Sequence, residues 1–169
     1  TGQLPEGRTS STMAMSFDVT ATIEAVAGAG VHAGQDGVDL IPFLKGEMAG
    51  DAHDRLYWRS DTQGAMREGP WKLVKVGPDD YLFDLRTDIG ERNDLAKSQP
   101  ERLAAMKADW MRWSSSMMAP AWGRTGQTGT VPGQTAAERN EELRELVRRY
   151  IAGLPVDPKT LLYGGGPEQ

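Results

Sequence analysis

Apolar positions along this chain change period several times, and each change marks an element. From Ser16 onward, Val19, Ile23 and Val26 fall at i, i+4 and i+7, the spacing of one face of an α-helix. Ser16 is placed to cap that helix, and Asp18 sits in its first turn, where a negative charge suits the helix dipole. Gly28 and Gly30 end it. The stretch 31–50 reads as a loop with one compact apolar piece, Leu40-Ile41-Pro42-Phe43-Leu44. Between Arg55 and Leu85 the period falls to two. Short strand-like runs at 56–58, 65–67, 71–76 and 81–83 are separated by turn-forming residues at 60–64, 68–70 and 77–80. This predicts an antiparallel meander in which Trp71 and Leu73 share one face, and Lys72, Val74 and Val76 the other.

The helical period then returns. Ser98 and Glu101 have the spacing of a capping box, and Pro100 falls in the first turn, where its missing N–H costs nothing. Leu103, Met106, Trp110, Trp113 and Met117 recur at helical intervals, a stripe expected to cover one face of the meander, which needs such a cover. Trp71 is expected to fill the core between them. Residues 123–135 are rich in Gly, Thr and Gln and read as a linker. Thr135 and Glu138 form a second capping box, opening a helix over 136–152 with a stripe of Leu143, Leu146, Val147, Tyr150 and Ile151. A linker of that composition transmits no fixed geometry. The helix is therefore expected to dock away from the sheet-and-helix core, the alternative being that it folds back on it. The last residues, through Gly164-Gly165-Gly166-Pro167, read as a tail.

Composition narrows the classes. A length of 169 residues suits one domain, and 20 Gly with 10 Pro imply many turns. A net charge of −5 without a basic stripe argues against a nucleic-acid partner. The apolar runs are too short to span a membrane. No signal peptide opens the chain, whose start at Thr1 reads as mid-protein, so localisation stays open.

Candidate chemistry is sparse. There is no Cys, hence no thiolate metal site, and no Ser stands in a nucleophile elbow; Ser114-Ser115-Ser116 reads as a solvated helix end. Neither His32 nor His53 has a second His at ligand spacing, and the plainer reading of both is structural or solvent-exposed. Acidic residues are scattered, with no EF-hand series, and the glycines at 28, 30 and 34 follow a helix, not the strand that a dinucleotide motif requires. The residues by themselves assemble no complete active site.

An order of motifs nevertheless stands out. Ser16-Phe17-Asp18-Val19-Thr20-Ala21-Thr22 followed by Ala27-Gly28 resembles the sulfatase-family helix S-x-x-D-x-x-P-T with its later A-G, one residue shorter before Asp18 and with Ala21 in place of Pro. Asp36-Gly37-Val38-Asp39-Leu40-Ile41-Pro42-Phe43-Leu44-Lys45-Gly46 resembles the family's D-G-x-S-L-x-P-L-L-x-G. Leu56-Tyr57-Trp58-Arg59, and the run from Ala65 through Arg67, Trp71 and Lys72 to Val74, resemble its paired strands. Leu82-Phe83-Asp84-Leu85, Asp88-Ile89-Gly90-Glu91 and Asn93-Asp94-Leu95-Ala96 resemble its L-Y-D-L…D-P-G-E…N-L-A. Each piece is weak alone; their order over 16–96 is specific.

The resemblance implies an α+β fold in three parts. Residues 1–50 would end an α/β catalytic domain, and 51–119 would form a small domain of four antiparallel strands and one helix. Residues 120–169 would be linker, amphipathic helix and tail. It implies the C-terminal portion of a sulfuric ester hydrolase of arylsulfatase type, non-catalytic by itself and forming one wall of a substrate pocket. The alternatives are a portion of a related phosphate mono- or diester hydrolase, or a structural or oligomerisation module. The family's formylglycine and calcium would belong to the missing catalytic domain, the partner of this chain, with a homo-oligomer through 136–152 as a second contact. His53 and Arg59 are the candidates for lining a substrate pocket. Asp18, Asp36, Arg67, Trp71, Lys72, Asp84 and Glu91 match family positions and read as architecture, with Arg67 expected to pair with Asp84.

Overall fold

The structure, a computed structural model, describes residues 4, 6–30, 32–60, 63–118 and 135–156. It divides into two compact units, Thr1–Leu56 and Tyr57–Gln169. The expected linker at 123–135, save Thr135, and the tail through Pro167 lie outside the described residues.

In the first unit, α1 spans Ser16–Val26. Met15, not Ser16, holds the capping position, and the Asp18 carboxylate accepts its backbone N–H at 2.6 Å. The side of α1 that is buried carries Asp18 and Ala21, whereas the expected stripe of Val19, Ile23 and Val26 is 54%, 63% and 61% exposed. Inside the expected loop, Ile41–Lys45 forms a one-turn helix, α2, with Pro42 in its first turn and Gly46 at φ 79° closing it.

The second unit is built on a meander of β1 (Arg55–Arg59), β2 (Gln63–Glu68), β3 (Trp71–Val76) and β4 (Asp79–Asp84), side by side in chain order. The β2–β3 and β3–β4 pairs are antiparallel, each joined by a two-residue Gly-Pro loop. Gly69 and Gly77 take φ of 52° and 57°, open only to glycine at low cost, and Pro supplies the following negative φ. Alternation then sorts the side chains. Met66, Leu73 and Leu82 form a buried cluster with Met106 of α3 (Pro100–Ser116), joined by Leu103 and Trp110. Trp71 lies at the edge of that cluster, half-buried, with the Arg102 guanidinium 4.4 Å over its ring. Trp113 stacks on Tyr57 at 4.9 Å, and Met117 is 45% exposed.

Helix α3 starts one residue later than a Ser98 cap requires. Gln99 precedes a proline, which disfavours the helical conformation there, and it sits outside the helical region at φ −130°, ψ 56° as the capping residue. The Ser98 hydroxyl instead donates to Leu95 O at 3.2 Å.

The tail helix is where the expectation fails most clearly. Helix α4 (Ala136–Ile151) opens on the expected box, with Thr135 Oγ1 accepting from Glu138 N and Thr135 N donating to Glu138. It then folds back on its own sheet, placing Leu143, Val147 and Ile151 against Val76, Tyr81 and Phe83. The reason is on the sheet: its second face carries Val74, Val76, Tyr81 and Phe83, which α3 cannot reach. The stripe reserved for an outside partner or a second copy through 136–152 is thus spent within the unit.

A polar clamp fixes α4. Arg144 grips Asp79 with two nitrogens at 2.7 and 3.2 Å, Arg148 reaches the same carboxylate at 3.2 Å, and the Tyr150 hydroxyl donates to Gly90 O at 2.7 Å. The Arg144 hydrogen bond, opposed by desolvation and aided by the charges of Arg144 and Arg148, holds the Asp79 carboxyl below its usual range. A depressed carboxyl stabilises the fold above its unfolded value and loses that contribution as pH falls through the lower folded value. The melting temperature of Asp79→Asn should therefore lie below wild type at neutral pH and converge on it as pH falls through the lowered folded value. A gap unchanged by acid would show that the clamp contributes nothing.

Candidate functional site

The chemistry-bearing residues gather in the first unit around one carboxylate. Asp18, 0% exposed, is reached at Oδ1 by Val38 N at 2.9 Å and at Oδ2 by Met15 N at 2.6 Å. The His53 Nε2 lies 2.8 and 2.9 Å from its two oxygens. One helical turn on, the Thr22 hydroxyl donates to Asp18 O at 2.7 Å and accepts Leu40 N at 3.0 Å. The 38–40 segment is thus laced to α1 at two places four residues apart, the spacing of one helix face. Gly37 makes the approach possible, since a Cβ there would stand 2.6 Å from Phe17 O. Phe17 meets the His53 ring edge-on at 5.6 Å.

This arrangement explains the spacing of the first two motifs. Asp18 answers three donors from three places in the chain; a buried carboxylate is tolerable only when so satisfied. Thr22 was missed as a site-building residue, as were Asp51, which accepts Met13 N at 2.7 Å, and Asp39, which accepts Ile41 N at 2.9 Å. Asp36 itself is exposed. His53, with a 12% exposed side chain, spends Nε2 on Asp18.

In the second unit Arg59 turns toward α3. One Nη donates to Ser114 O at 2.6 Å and to Ser114 Oγ at 2.9 Å, and the other donates to Met118 O. The guanidinium therefore satisfies carbonyls at the C-terminal end of the helix. Lys72 pairs with Glu91 at 2.5 Å, and Glu91 is a non-glycine residue at φ 54°. The expected Arg67–Asp84 pair does not form. Arg67 Nε donates to Gly69 O at 3.1 Å, while Arg86 holds Asp84 through Nε at 3.0 Å and Nη2 at 2.6 Å. Alternation is the cause: Arg67 follows Met66 and faces away from α3, whereas Asp84 shares the face of Leu82. The Arg86 hydrogen bond, opposed by desolvation, keeps the Asp84 carboxyl below its usual range.

These residues do not fit the groups that sulfate-ester chemistry needs. Among the described residues no three His, Cys, Asp or Glu side chains converge as a metal site. The chain has no Cys, and the Ser115 and Ser116 hydroxyls donate to the carbonyls of Arg112 and Trp113. No helix among the described residues is long and apolar enough to cross a membrane.

Comparison with known proteins places the architecture. No protein-family model matches the chain. Over 91 residues it is 34% identical to the Delta 4,5-hexuronate-2-O-sulfatase of Bacteroides thetaiotaomicron, a match that covers 48% of this chain and 19% of that protein. The crystal structure of Ps i-CgsB superposes on 89% of this chain and 33% of its own, with a TM-score of 0.62 and 25% identity. Its complex with k-i-k-neocarrahexaose matches over 80% of this chain and 30% of its own, with a TM-score of 0.52 and 27% identity. The chain thus spans between a fifth and a third of the proteins it matches. With the motif order over 16–96 and the four-stranded α+β unit that carries it, these likenesses support a match to the C-terminal region of sulfatase-family proteins.

Proposed function

We propose that this chain completes the fold of a sulfuric ester hydrolase that acts on a sulfated saccharide, and that it supplies no catalytic group itself. The observation that carries this is α1. One side of the helix buries Asp18 and Ala21, while Val19, Ile23 and Val26, which share another face, stand 54–63% exposed. Three uncovered β-branched residues along one face of a helix form an apolar stripe that calls for a covering layer. In this reading the cover is the remainder of an α/β catalytic domain, the partner of residues 1–50.

The nucleophile, a formylglycine, and its calcium ion would belong to that remainder. The Asp18–His53 knot would hold the 38–40 segment against α1, a positioning role. The saccharide is suggested by the name of the hexuronate-2-O-sulfatase, whose identity of 34% is the highest among these likenesses. The experiment is sulfate release from a 2-O-sulfated hexuronate disaccharide, by this chain alone and by the full protein its gene encodes.

A further inference from the structure

Helix α4 covers only the β3–β4 half of the sheet's second face. On the other half Trp58 stands 36% exposed, and among the described residues it walls a cavity of about 430 Å³ with Ala65, Arg67, Lys72, Ile89 and Glu91. A second cavity of about 410 Å³ adjoins Trp58 and Ala65 on the side of Ser60 and Gln63. The two share Trp58 and Ala65, so the indole stands between them as the wall of one groove-like surface.

The charges in the groove are the unusual feature. Arg67 and Lys72 are direct cross-strand partners on β2 and β3. Like charges in that register destabilise a sheet, and among the described residues a carboxylate, Glu91 at 2.5 Å, is seen to balance Lys72 but not Arg67. The cavity lined by Arg67, Lys72 and Glu91 keeps one net positive charge, and Arg59 and Lys75 line the adjoining one, on a chain of net charge −5. A guanidinium presents a planar fork matched to an oxyanion, and an exposed indole beside it offers an apolar plane. A sulfated pyranose has both complements: an apolar ring face and a sulfate.

We infer that the Trp58 groove, with Arg67 and Lys72, is a binding site for a sulfated oligosaccharide on the sheet face opposite α3. The inference rests on the proposed function for the identity of the saccharide. The indole would take the ring face, Arg67 would grip a sulfate, and Lys72 would reach the same anion from the strand alongside.

The test is titration of the full 169-residue chain, followed by calorimetry and by nuclear magnetic resonance of the assigned Trp58 indole. The probes are a heparin-derived hexasaccharide, its desulfated counterpart and inorganic sulfate. Only the sulfated hexasaccharide should bind and shift the Trp58 indole. Trp58→Ala and Arg67→Gln should each weaken it at least tenfold, with unchanged melting temperatures. Equal binding by the desulfated sugar, an equal response to inorganic sulfate, or shifts confined to other residues would overturn the proposal. A Trp58 signal that moves with protein concentration alone would overturn it in favour of a second copy. Sulfate release by the full protein is measured separately, so this site can fail while the hydrolase reading stands.

Discussion

Leu82→Ala should cost the second unit about 4 kcal/mol, enough to consume much of the stability of a domain this small. Leu82 is 0% exposed and sits at the centre of the cluster formed by Met66, Leu73 and Met106. Its backbone is held from two sides as well, Leu82 N donating to Asp94 and Leu82 O accepting Leu95 N. A collapse that filled the void would therefore have to move both the strand and the loop that follows it. Trp71→Ala, which the sequence suggests as the damaging change, should cost less, because the ring is half-exposed and capped by Arg102. Denaturant unfolding of the two variants side by side decides the matter. Equal losses, or a loss below about 1 kcal/mol for Leu82→Ala, would mean the core lies elsewhere.

Asp18→Ala should be comparably severe, but in the first unit. It strands the buried N–H groups of Met15 and Val38 and removes the partner of His53. Each unsatisfied buried donor costs about 1–3 kcal/mol, which puts the total on the order of 3–5 kcal/mol. The readout is local: hydrogen exchange at Val38 should accelerate by orders of magnitude, and Leu40, held by Thr22, should follow. Exchange in the β2–β3 hairpin should be unaffected. Unchanged protection at Val38 would contradict the role given to Asp18.

Most of the second unit was legible because its signals are local. Period-two runs divided by Gly-Pro turns specify a meander, and alternation alone sorts Leu73 from Val74. The misreadings came from features that depend on what lies across the chain. Arg67 and Asp84 were paired by motif order although alternation sets them on opposite faces. Ser16 is the better capping residue by type, yet Asp18 does the work, because its carboxylate also answers Val38 and His53 from 20 and 35 residues away. The second face of the sheet carries four apolar residues that need a cover, and a reading that leaves them bare leaves α4 to dock elsewhere. Counting apolar faces against available helices would have returned it to Val76, Tyr81 and Phe83. At α1 the opposite holds: a readable helix presents Val19, Ile23 and Val26 to no described layer.

That surplus face is what a catalytic domain would cover, and sulfate release is the decisive measurement. The full protein encoded by the gene for this chain, and this chain alone, are each incubated with a 2-O-sulfated hexuronate disaccharide and with an aryl phosphate, with and without calcium. Sulfate release is expected from the full protein, and none above a heat-treated control from the chain alone. Phosphate release without sulfate release by the full protein, or sulfate release by the chain alone, would contradict the proposed function.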